Sequence, residues 1–462
     1  MILNKLILSL LLLFGNAVYA ADPFLVMDRV LPSPAAGLLP GAGCASVPQP
    51  AALLTLAAAV ERALCANPAT RNAWMSARLR AAELGLAQSA FLPEVTLDAG
   101  GSRVGVSTLP NDAWAWHVGM DVQYLLYDFG GREAQLDAAS ALLSAARASQ
   151  DGTARDVFLQ TVAAYFSVLT AQGAVTAAMQ AEAAALEALK AASARVAAGS
   201  AIPVDRLQAK TVHAQRQIER IRTEGLQLRL QGELAALMGD AAHADFTLAA
   251  NETAFADFPA ILEKIDSLIE AAQQRRPELR AAEASLNASR SGLLGVEAAG
   301  KPTLSAFFDT RYQDVGPTAG RLSGLGVSLR IPLFTGYRST YQIRAAEVQV
   351  DQAAVTRDQV ANQVALEVWR AYHNLKTESD ADSRTEELVA SAQAAESVAL
   401  GRYKAGLGNI LDVLTAQANL AEARQTRLLS RLGLRVARAE MAHAMGDLTW
   451  DWIEQPQGTG GK

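Results

Sequence analysis

The sequence repeats itself once, at an offset of 207 to 209 residues. Six pairs of landmarks recur in the same order: Asn67-Pro68 and Arg276-Pro277, Leu92-Pro93 and Lys301-Pro302, Ala164-Tyr165 and Ala371-Tyr372, Ala198-Gly199 and Ala405-Gly406, Val204-Asp205 and Leu411-Asp412, Met238-Gly239 and Met445-Gly446. A unit of this length is far longer than the roughly 20–50 residues of a solenoid repeat. The chain is therefore a tandem duplication, and each copy is a large structural half.

Each half contains two long stretches without proline, at about 132–198 and 204–238 in the first half and at about 338–405 and 410–445 in the second. The longer stretch would span roughly 100 Å as an α-helix. Helices of such length point to coiled-coil packing. The chain has 93 alanines and only 6% aromatic residues. Because alanine favours helices and occupies little volume, this composition predicts closely spaced helices without a thick core.

Before each long helical stretch the hydrophobic period changes to that of a strand. In 113–124, Trp114, Trp116 and Val118 alternate with His117 and Asp121. Residues 325–333 alternate in the same way, and 94–108 and 303–314 alternate less cleanly. Turn signals at 110–112 and 316–317 predict one hairpin in each half.

These strands are long enough to cross a bilayer when tilted, and their faces differ in polarity, as in a transmembrane barrel. Four strands cannot close a barrel, because bacterial barrels begin at about eight strands. Open sheet edges are not tolerated in lipid. Copies of the chain must therefore pool strands, and twelve strands from three copies would leave a lumen that eight would fill. The alternative is an ordinary soluble sheet covered by the helices.

Residues 1–20 read as a secretory signal peptide. Lys5 supplies the positive charge, residues 6–14 form a short apolar run, and Val18-Tyr19-Ala20 matches a cleavage site. An N-terminal arm of residues 21–54 follows. No later stretch reaches 18 uninterrupted apolar residues, so we expect no transmembrane-helix candidate in the mature chain.

Cys44 and Cys65 would then lie in an oxidising compartment. Cys44 belongs to a stretch rich in proline and glycine, and Cys65 to a helical pattern. A disulfide between them would fasten the arm to a helix, with a stabilisation of about 3 kcal/mol. Two separate thiols are the alternative.

Composition and motifs exclude several functions. The net charge of −6 disfavours nucleic-acid binding, which needs excess Lys and Arg. The five histidines show no metal-ligand spacing. Neither a nucleophile elbow nor a phosphate-binding loop is present. We therefore predict no catalytic residue, no cofactor and no metal site.

Over about residues 52–450, the sequence resembles the outer membrane factors, the TolC-like tunnel proteins of Gram-negative export systems. The resemblance rests on the duplication and on three segments: Leu126-Tyr127-Asp128-Phe129-Gly130-Gly131-Arg132, Pro332-Leu333-Phe334-Thr335-Gly336-Tyr337-Arg338, and Tyr403-Lys404-Ala405-Gly406 followed by Leu411-Asp412-Val413-Leu414. The N-terminus without a lipid-attachment cysteine and the cysteine pair are more similar to the type I secretion branch than to the lipid-anchored drug-efflux branch.

The resemblance implies a mainly α-helical protein with a membrane β-barrel, which assembles as a homotrimer. Twelve strands would form the barrel in outer membrane lipid, and twelve helical strands would form a periplasmic tunnel. The first structural repeat would cover 55–250 with strands at about 93–128, and the second 251–450 with strands at about 302–334. Residues 451–462 would form a C-terminal tail.

The resemblance also implies a passive exit duct that binds a periplasmic adaptor protein. An inner membrane ABC transporter, or a proton-driven efflux pump, would supply the energy. The type I protein secretion channel has two alternatives, a multidrug efflux channel and a secreted structural coiled-coil protein.

A periplasmic gate is expected near the two glycine turns. Asp412 matches an acidic residue whose symmetry copies ring the aperture in the family, and the second acidic position falls at Thr415. Asp205 matches an aspartate of the closed-state links, and Tyr403 its aromatic partner. The family's arginine partner falls at Gly408, so that salt bridge is absent. The alternative is that the two aspartates are helix N-caps.

The tips of the helix pairs are expected to contact the adaptor. They comprise Gly199 and Ser200 in the first half and Gly406, Leu407 and Gly408 in the second. Small residues permit close approach, and Leu407 offers an apolar contact. Plain helix C-caps are the alternative for the glycines.

Overall fold

The computed structural model describes residues 22–34, 37–39, 44, 53–104, 113–249, 264–315 and 318–454. The predicted signal peptide and the turn signals at 110–112 and 316–317 lie outside these ranges.

The first half begins with a short 3₁₀ turn, Met27–Arg29, and strand β1, Leu53–Leu54. Six further elements follow: α1 (Leu56–Ala66), α2 (Pro68–Ser89), β2 (Glu94–Val104), β3 (Ala113–Tyr127), α3 (Gly131–Ala197) and α4 (Pro203–Leu237). Strand β4, Thr247–Leu248, pairs in parallel with β1.

The second half repeats this order. Its elements are α5 (Ile265–Arg275), α6 (Pro277–Ala299), β5 (Thr303–Val315), β6 (Thr318–Arg330), α7 (Arg338–Lys404) and α8 (Ile410–Ala444). The short helix α9, Asp451–Glu454, follows. The equivalent helices α3 and α7 both have 67 residues, and α4 and α8 both have 35. The predicted pair of long helices in each half is confirmed, with ends within about one residue of the expected positions.

The last strand differs from its prediction. The alternation at 325–333 extended it too far, because β6, which begins at Thr318, ends at Arg330. The strand ends two residues before Pro332, which has no backbone N–H to donate to a neighbouring strand. Leu333 is instead highly exposed, after the strand has ended.

The four longer strands form one antiparallel sheet in the order β2-β3-β5-β6. The central pair β3–β5 joins the two halves of the duplication. Strands β2 and β6 have no further partner in the part of the chain that is described. Both edges of the sheet therefore expose backbone donors and acceptors.

The two faces of the sheet differ in chemistry, because residues in register across the strands share a face. One row is apolar and consists of Val95, Val122, Phe308 and Leu325. The next row, on the other face, consists of Thr96, Asp121, Asp309 and Gly324. Phe307 and Leu322 are apolar exceptions on the polar face. Leu97 and Leu325 are 65% and 82% exposed, so the apolar face is uncovered in the single chain.

The contacts divide the chain into two compact units. The first contains Met75–Ala148 and Arg280–Val360, and therefore the whole sheet. The second contains Leu31–Trp74, Ser149–Leu279 and Ala361–Lys462. Each is built from both halves of the duplication.

The second unit has a hydrophobic core around α1 and the β1–β4 pair. Phe158, Phe166, Leu234 and Met238 are among its fully buried side chains. The Tyr165 hydroxyl lies 3.2 Å from the Leu54 carbonyl oxygen and 3.0 Å from that of Ala249, so it links the ends of the two short strands.

Cys44 and Cys65 are joined by a disulfide, with their Cα atoms 5.4 Å apart. Cys65 lies on α1 at the edge of the core. The bond therefore ties the arm to the second unit. Two further bonds hold the arm: Trp74 Nε1 donates to the Leu31 carbonyl at 2.8 Å, and Gln150 Nε2 to that of Pro34 at 3.2 Å.

One described helix, α3, is long and apolar enough to cross a membrane by length and composition alone. The expectation of no transmembrane-helix candidate was therefore wrong. Alanine and valine keep the mean hydropathy high although Ser, Thr and Gln interrupt every apolar run.

Candidate gate at the ends of the long helices

Each long helix ends in a turn at a left-handed glycine. Gly199, at φ +69°, follows α3, and the Ser200 N–H donates to the Arg195 carbonyl at 2.9 Å. Gly406, at φ +82°, follows α7, and the Leu407 N–H donates to the Arg402 carbonyl at 2.9 Å. These bonds are those of a Schellman C-cap, so the C-cap interpretation of the glycines is confirmed.

Arg195, in the last turn of α3, packs against Tyr403 in the last turn of α7. Its guanidinium lies 4.6 Å from the centroid of the Tyr403 ring, and Nη1 donates to the Tyr403 carbonyl oxygen at 3.0 Å. Nη2 donates to the Ser200 carbonyl oxygen at 3.0 Å. One side chain thus joins both helix ends and one of the two turns.

Tyr403 is only 1% exposed and lies where four helices meet. Its neighbours in this small core come from α3, α4 and α8: Ala188, Ala192, Ala209, Ile410 and Val413. Burial, followed by the negative charge of Asp205, raises the pKa of the Tyr403 phenol, and Arg195 acts in the opposite direction. Its hydroxyl has no hydrogen-bond partner among the residues that are described.

The two aspartates do not cap their helices. The N-cap of α4 is Ile202 and that of α8 is Asn409, whose side chain accepts from the Leu411 N–H at 3.1 Å. Asp205 and Asp412 lie in the first turns, where the helix dipole favours negative charge. The N-cap alternative is therefore wrong.

Asp412 and Thr415 are both exposed, three residues apart on one side of α8. Asp412 makes no ion pair within the described ranges. Asp205, and not Asp412, is the carboxylate whose charge raises the pKa of the Tyr403 phenol. The four predicted gate residues therefore form two pairs: the half-buried Asp205 with the buried Tyr403, and the exposed Asp412 with the exposed Thr415.

The residues at the tips are accessible. Gly199, Ser200 and Gly406 are exposed, and Leu407 is 75% exposed. A Cβ at Gly199 or Gly406 would meet nothing within 4 Å, whereas at Gly408 it would lie 3.1 Å from the Tyr403 backbone nitrogen. Gly408 is therefore constrained by its own chain, and the other two glycines by backbone conformation alone.

Two functional candidates were missed from the sequence. The signal for Arg195 is a basic residue in the last helical turn before a C-cap glycine. Gln417 is buried on α8, and its Nε2 donates to the Ala184 carbonyl on α3 at 3.1 Å and to Glu396 Oε1 on α7 at 3.4 Å. No local pattern marks Gln417, because its role depends on two helices that are distant in sequence.

The surroundings of this site offer no metal-binding group. Within the ranges that the structure covers, no set of three or more His, Cys, Asp or Glu side chains could hold a metal ion. The arrangement instead holds helix ends together through a buried aromatic ring, a cation and backbone carbonyls.

The sequence matches the family of outer membrane efflux proteins over residues 59–240 and 268–447. It is 29% identical over 404 residues to protein CyaE of Bordetella pertussis, covering 86% of this chain and 84% of that protein. It is 27% identical over 368 residues to outer membrane protein TolC of Vibrio cholerae, covering 76% and 82%. The fold is similar to the solved structure of the outer membrane protein VceC from Vibrio cholerae, with a TM-score of 0.73, 19% identity, and coverage of 85% and 96%.

Proposed function

The chain belongs to the outer membrane efflux protein family, and from this premise we propose that it is the exit channel of a type I protein secretion system. Members of this family are outer membrane channels of tripartite export systems and are not enzymes. The feature that favours type I secretion is the disulfide-bonded arm. The single observation that best supports a membrane channel is the sheet, which has one exposed apolar face and two open edges.

The sheet supports assembly as a homotrimer. Four strands cannot close a barrel, and lipid does not tolerate unpaired backbone at an edge. Three copies would place the β2 edge of one chain beside the β6 edge of the next and give twelve strands. The apolar rows would then face lipid, and the rows with Asp121 and Asp309 would line the water-filled lumen.

The long helices support a periplasmic tunnel. At about 1.5 Å per residue, a helix of 67 residues extends roughly 100 Å. Four helices from each of three copies would give a tunnel wall of twelve helical strands. Energy would come from an inner membrane ABC transporter, which a periplasmic adaptor would connect to the tips at Gly199, Ser200, Gly406, Leu407 and Gly408.

The gate would lie at the same end. Three copies of Asp412 would ring the aperture, with Thr415 beside each. Tyr403 and Asp205 would hold the ends of the helices in the closed state. The family has an arginine at the position of Gly408. Arg195, which belongs to the other half of the chain, would take over the role of that arginine.

The proposed layout along the chain follows the duplication. A signal peptide covers residues 1–20 and an arm 21–54. The two structural repeats cover 55–250 and 251–450, and a tail covers 451–462.

The test begins with outer membrane fractions of cells that produce the protein. A heat-resistant trimer that conducts ions in planar bilayers is expected. A protein that is fully soluble without detergent would contradict the channel and favour a secreted structural coiled coil. Deletion of the gene distinguishes a protein cargo from a drug cargo. Loss of a secreted protein with unchanged drug susceptibility supports type I secretion, and the reverse result identifies a multidrug efflux channel.

A further inference from the structure

Helix α4 packs against its own chain along one face and is exposed along the other. Ala209, Leu234 and Ala235 are buried on the first face. The residues of the exposed face are spaced about eleven residues apart, a spacing that keeps them on one side of a nearly straight helix. Its members are Leu207, Thr211, Ala214, Ile218, Arg222, Gly225 and Arg229. Leu207 and Ile218 are 57% and 50% exposed, and nothing of the same chain lies within 4 Å of a Cβ placed on Gly225.

Helix α7 has an equivalent exposed face. Leu375, Thr385 and Tyr403 are buried toward the rest of their own chain. On the other side, exposed residues recur at alternating steps of three and four: Thr377, Asp380, Arg384, Glu387, Ser391, Ala394 and Val398. The two acids are seven residues apart, as are the two arginines of α4.

Residues on the two faces can be compared by their distance along the helix axis from the tip, which we call their height. Tyr403, near the end of α7, contacts Arg195 near the end of α3, and it shares a core with Ala209 on the second turn of α4. The start of α4 and the end of α7 therefore lie side by side, and the helices run in opposite directions from there. Height can thus be counted forward from Pro203 on α4 and backward from Lys404 on α7.

By this count the opposite charges lie at similar heights. Arg222 lies 19 residues beyond Pro203, and Glu387 lies 17 residues before Lys404. Arg229 and Asp380 lie at 26 and 24 residues. A difference of two residues is about 3 Å along a helix, which a long arginine side chain spans easily. None of the four side chains has an ion-pair partner within the described part of its own chain.

We propose that the exposed face of α4 in one copy packs against the exposed face of α7 in the next, with Arg222 facing Glu387 and Arg229 facing Asp380. This inference rests on the proposed function, because it needs more than one copy of the chain. Ala214 would permit close approach of the helix axes. Leu207 and Val398, at heights 4 and 6, would form an apolar contact near the tips.

The two charge pairs would also fix the register of the neighbouring copies. Arg384 lies between the two acids and carries the opposite sign, so the complementarity exists at two defined heights and not along the whole face. A slide of one heptad would leave only one acid opposite an arginine. Complementary charges of this kind contribute more to specificity than to affinity.

Cross-linking tests the geometry. R222C/E387C is treated with a short bismaleimide in detergent. The native cysteines are bonded to each other and do not react. Covalent dimers and trimers are expected on denaturing gels. The matched control is R222C/V398C, whose positions lie on the same faces but about 20 Å apart in height, and which should give little cross-linked product. Links within one chain, or equal yields from both pairs, would overturn the proposal.

Charge reversal tests the energetics. R222E/R229E and D380R/E387R should each reduce the fraction of heat-resistant trimer about tenfold, and R222E/R229E/D380R/E387R should restore it to within about twofold of the unchanged protein. At about 1 M salt the deficits of the double variants should shrink, because the charges are screened. A quadruple variant no better than the double variants would contradict the pairing.

The trimeric channel and the α4–α7 contact can be tested separately. If the unchanged protein forms neither a trimer nor a conducting channel, the proposed function is wrong. If it forms both, but the R222C/E387C pair does not cross-link between copies, the α4–α7 contact alone is wrong.

Discussion

Arg195 and Tyr403 belong to different repeats, yet the guanidinium of Arg195 stacks over the Tyr403 ring at 4.6 Å and donates to its carbonyl oxygen at 3.0 Å. The residue equivalent to Arg195 in the second repeat is Arg402, which is exposed. The residue equivalent to Tyr403 in the first repeat is Val196. The contact therefore arose on one side of the duplication only, and it ties α3 to α7 asymmetrically.

Replacement of this arginine should loosen the closed gate. Arg195→Ala removes a cation–π contact of about 0.5–2 kcal/mol and a charge-assisted hydrogen bond of about 1.5–3 kcal/mol. We expect the open probability in planar bilayers to rise about tenfold or more. Arg402→Ala is the matched control and should behave as the unchanged channel. Equal conductance and open probability for both variants would contradict the role of Arg195.

Asp412, the acidic member of the exposed pair, should determine how strongly divalent cations block the channel. Asp412→Ala removes the proposed ring of carboxylates, so block by divalent cations from the periplasmic side should weaken while the strand region is unchanged. Thr415→Asp adds a second carboxylate on the same side of α8 and should strengthen the block. Unchanged conductance and unchanged block in Asp412→Ala would exclude a position at the aperture.

Leu407 should serve binding and not folding. Because it is 75% exposed, Leu407→Glu should leave trimer stability unchanged while it reduces co-purification of the adaptor and export of cargo. Leu407→Met keeps the side chain apolar and is the control that should retain both. Full adaptor binding by Leu407→Glu would show that the tip is not the docking site.

The disulfide should stabilise the second unit through the arm. The closed loop of about 22 residues predicts a contribution of about 3 kcal/mol. C44S/C65S should therefore unfold at a lower midpoint temperature in detergent, and protease should cleave residues 22–44 more readily. A reducing agent should reproduce both effects in the unchanged protein and have none on the variant. An unchanged midpoint would show that hydrogen bonds such as Trp74 to Leu31 suffice.

Stability should fall in strongly alkaline solution. Burial raises the pKa of Tyr165 to about 12, so the native phenol holds its proton more tightly than the unfolded phenol, whose pKa is about 10. This contribution is complete below pH ~10 and is lost as the pH rises toward 12. In Tyr165→Phe this part of the pH dependence should flatten, whereas Tyr372→Phe, its repeat equivalent, should retain it. Thermal melts between pH ~8 and ~12 provide the measurement.

The regular elements were largely predictable because each carries its own periodic signal. Proline-free alanine-rich stretches delimit α3 and α7, and alternation identifies β3 and its lipid-facing candidates Trp114 and Trp116. The prediction failed at the end of β6, where the local pattern is misleading. Apolar residues continue beyond Arg330, but the strand ends there, two residues before Pro332.

The site was less predictable, because its contacts join helices that are far apart in sequence. Gly199 and Gly406 could be found from C-cap chemistry alone. The stacking of Arg195 on Tyr403 depends on the relative height of two 67-residue helices, and a shift of one turn would abolish it. The same is true of Gln417, whose partners lie on α3 and α7.

The unlike edges of the four-stranded sheet have a genetic consequence. A ring built from β2-to-β6 joints needs both edges of every member, so a chain with one damaged edge can still be incorporated through its intact edge and leaves the ring open. A minority of defective copies would then inactivate a majority of assemblies. An edge-damaging allele, such as proline substituted within β6, should therefore be dominant over the unchanged gene when both are expressed, whereas a deletion should be recessive.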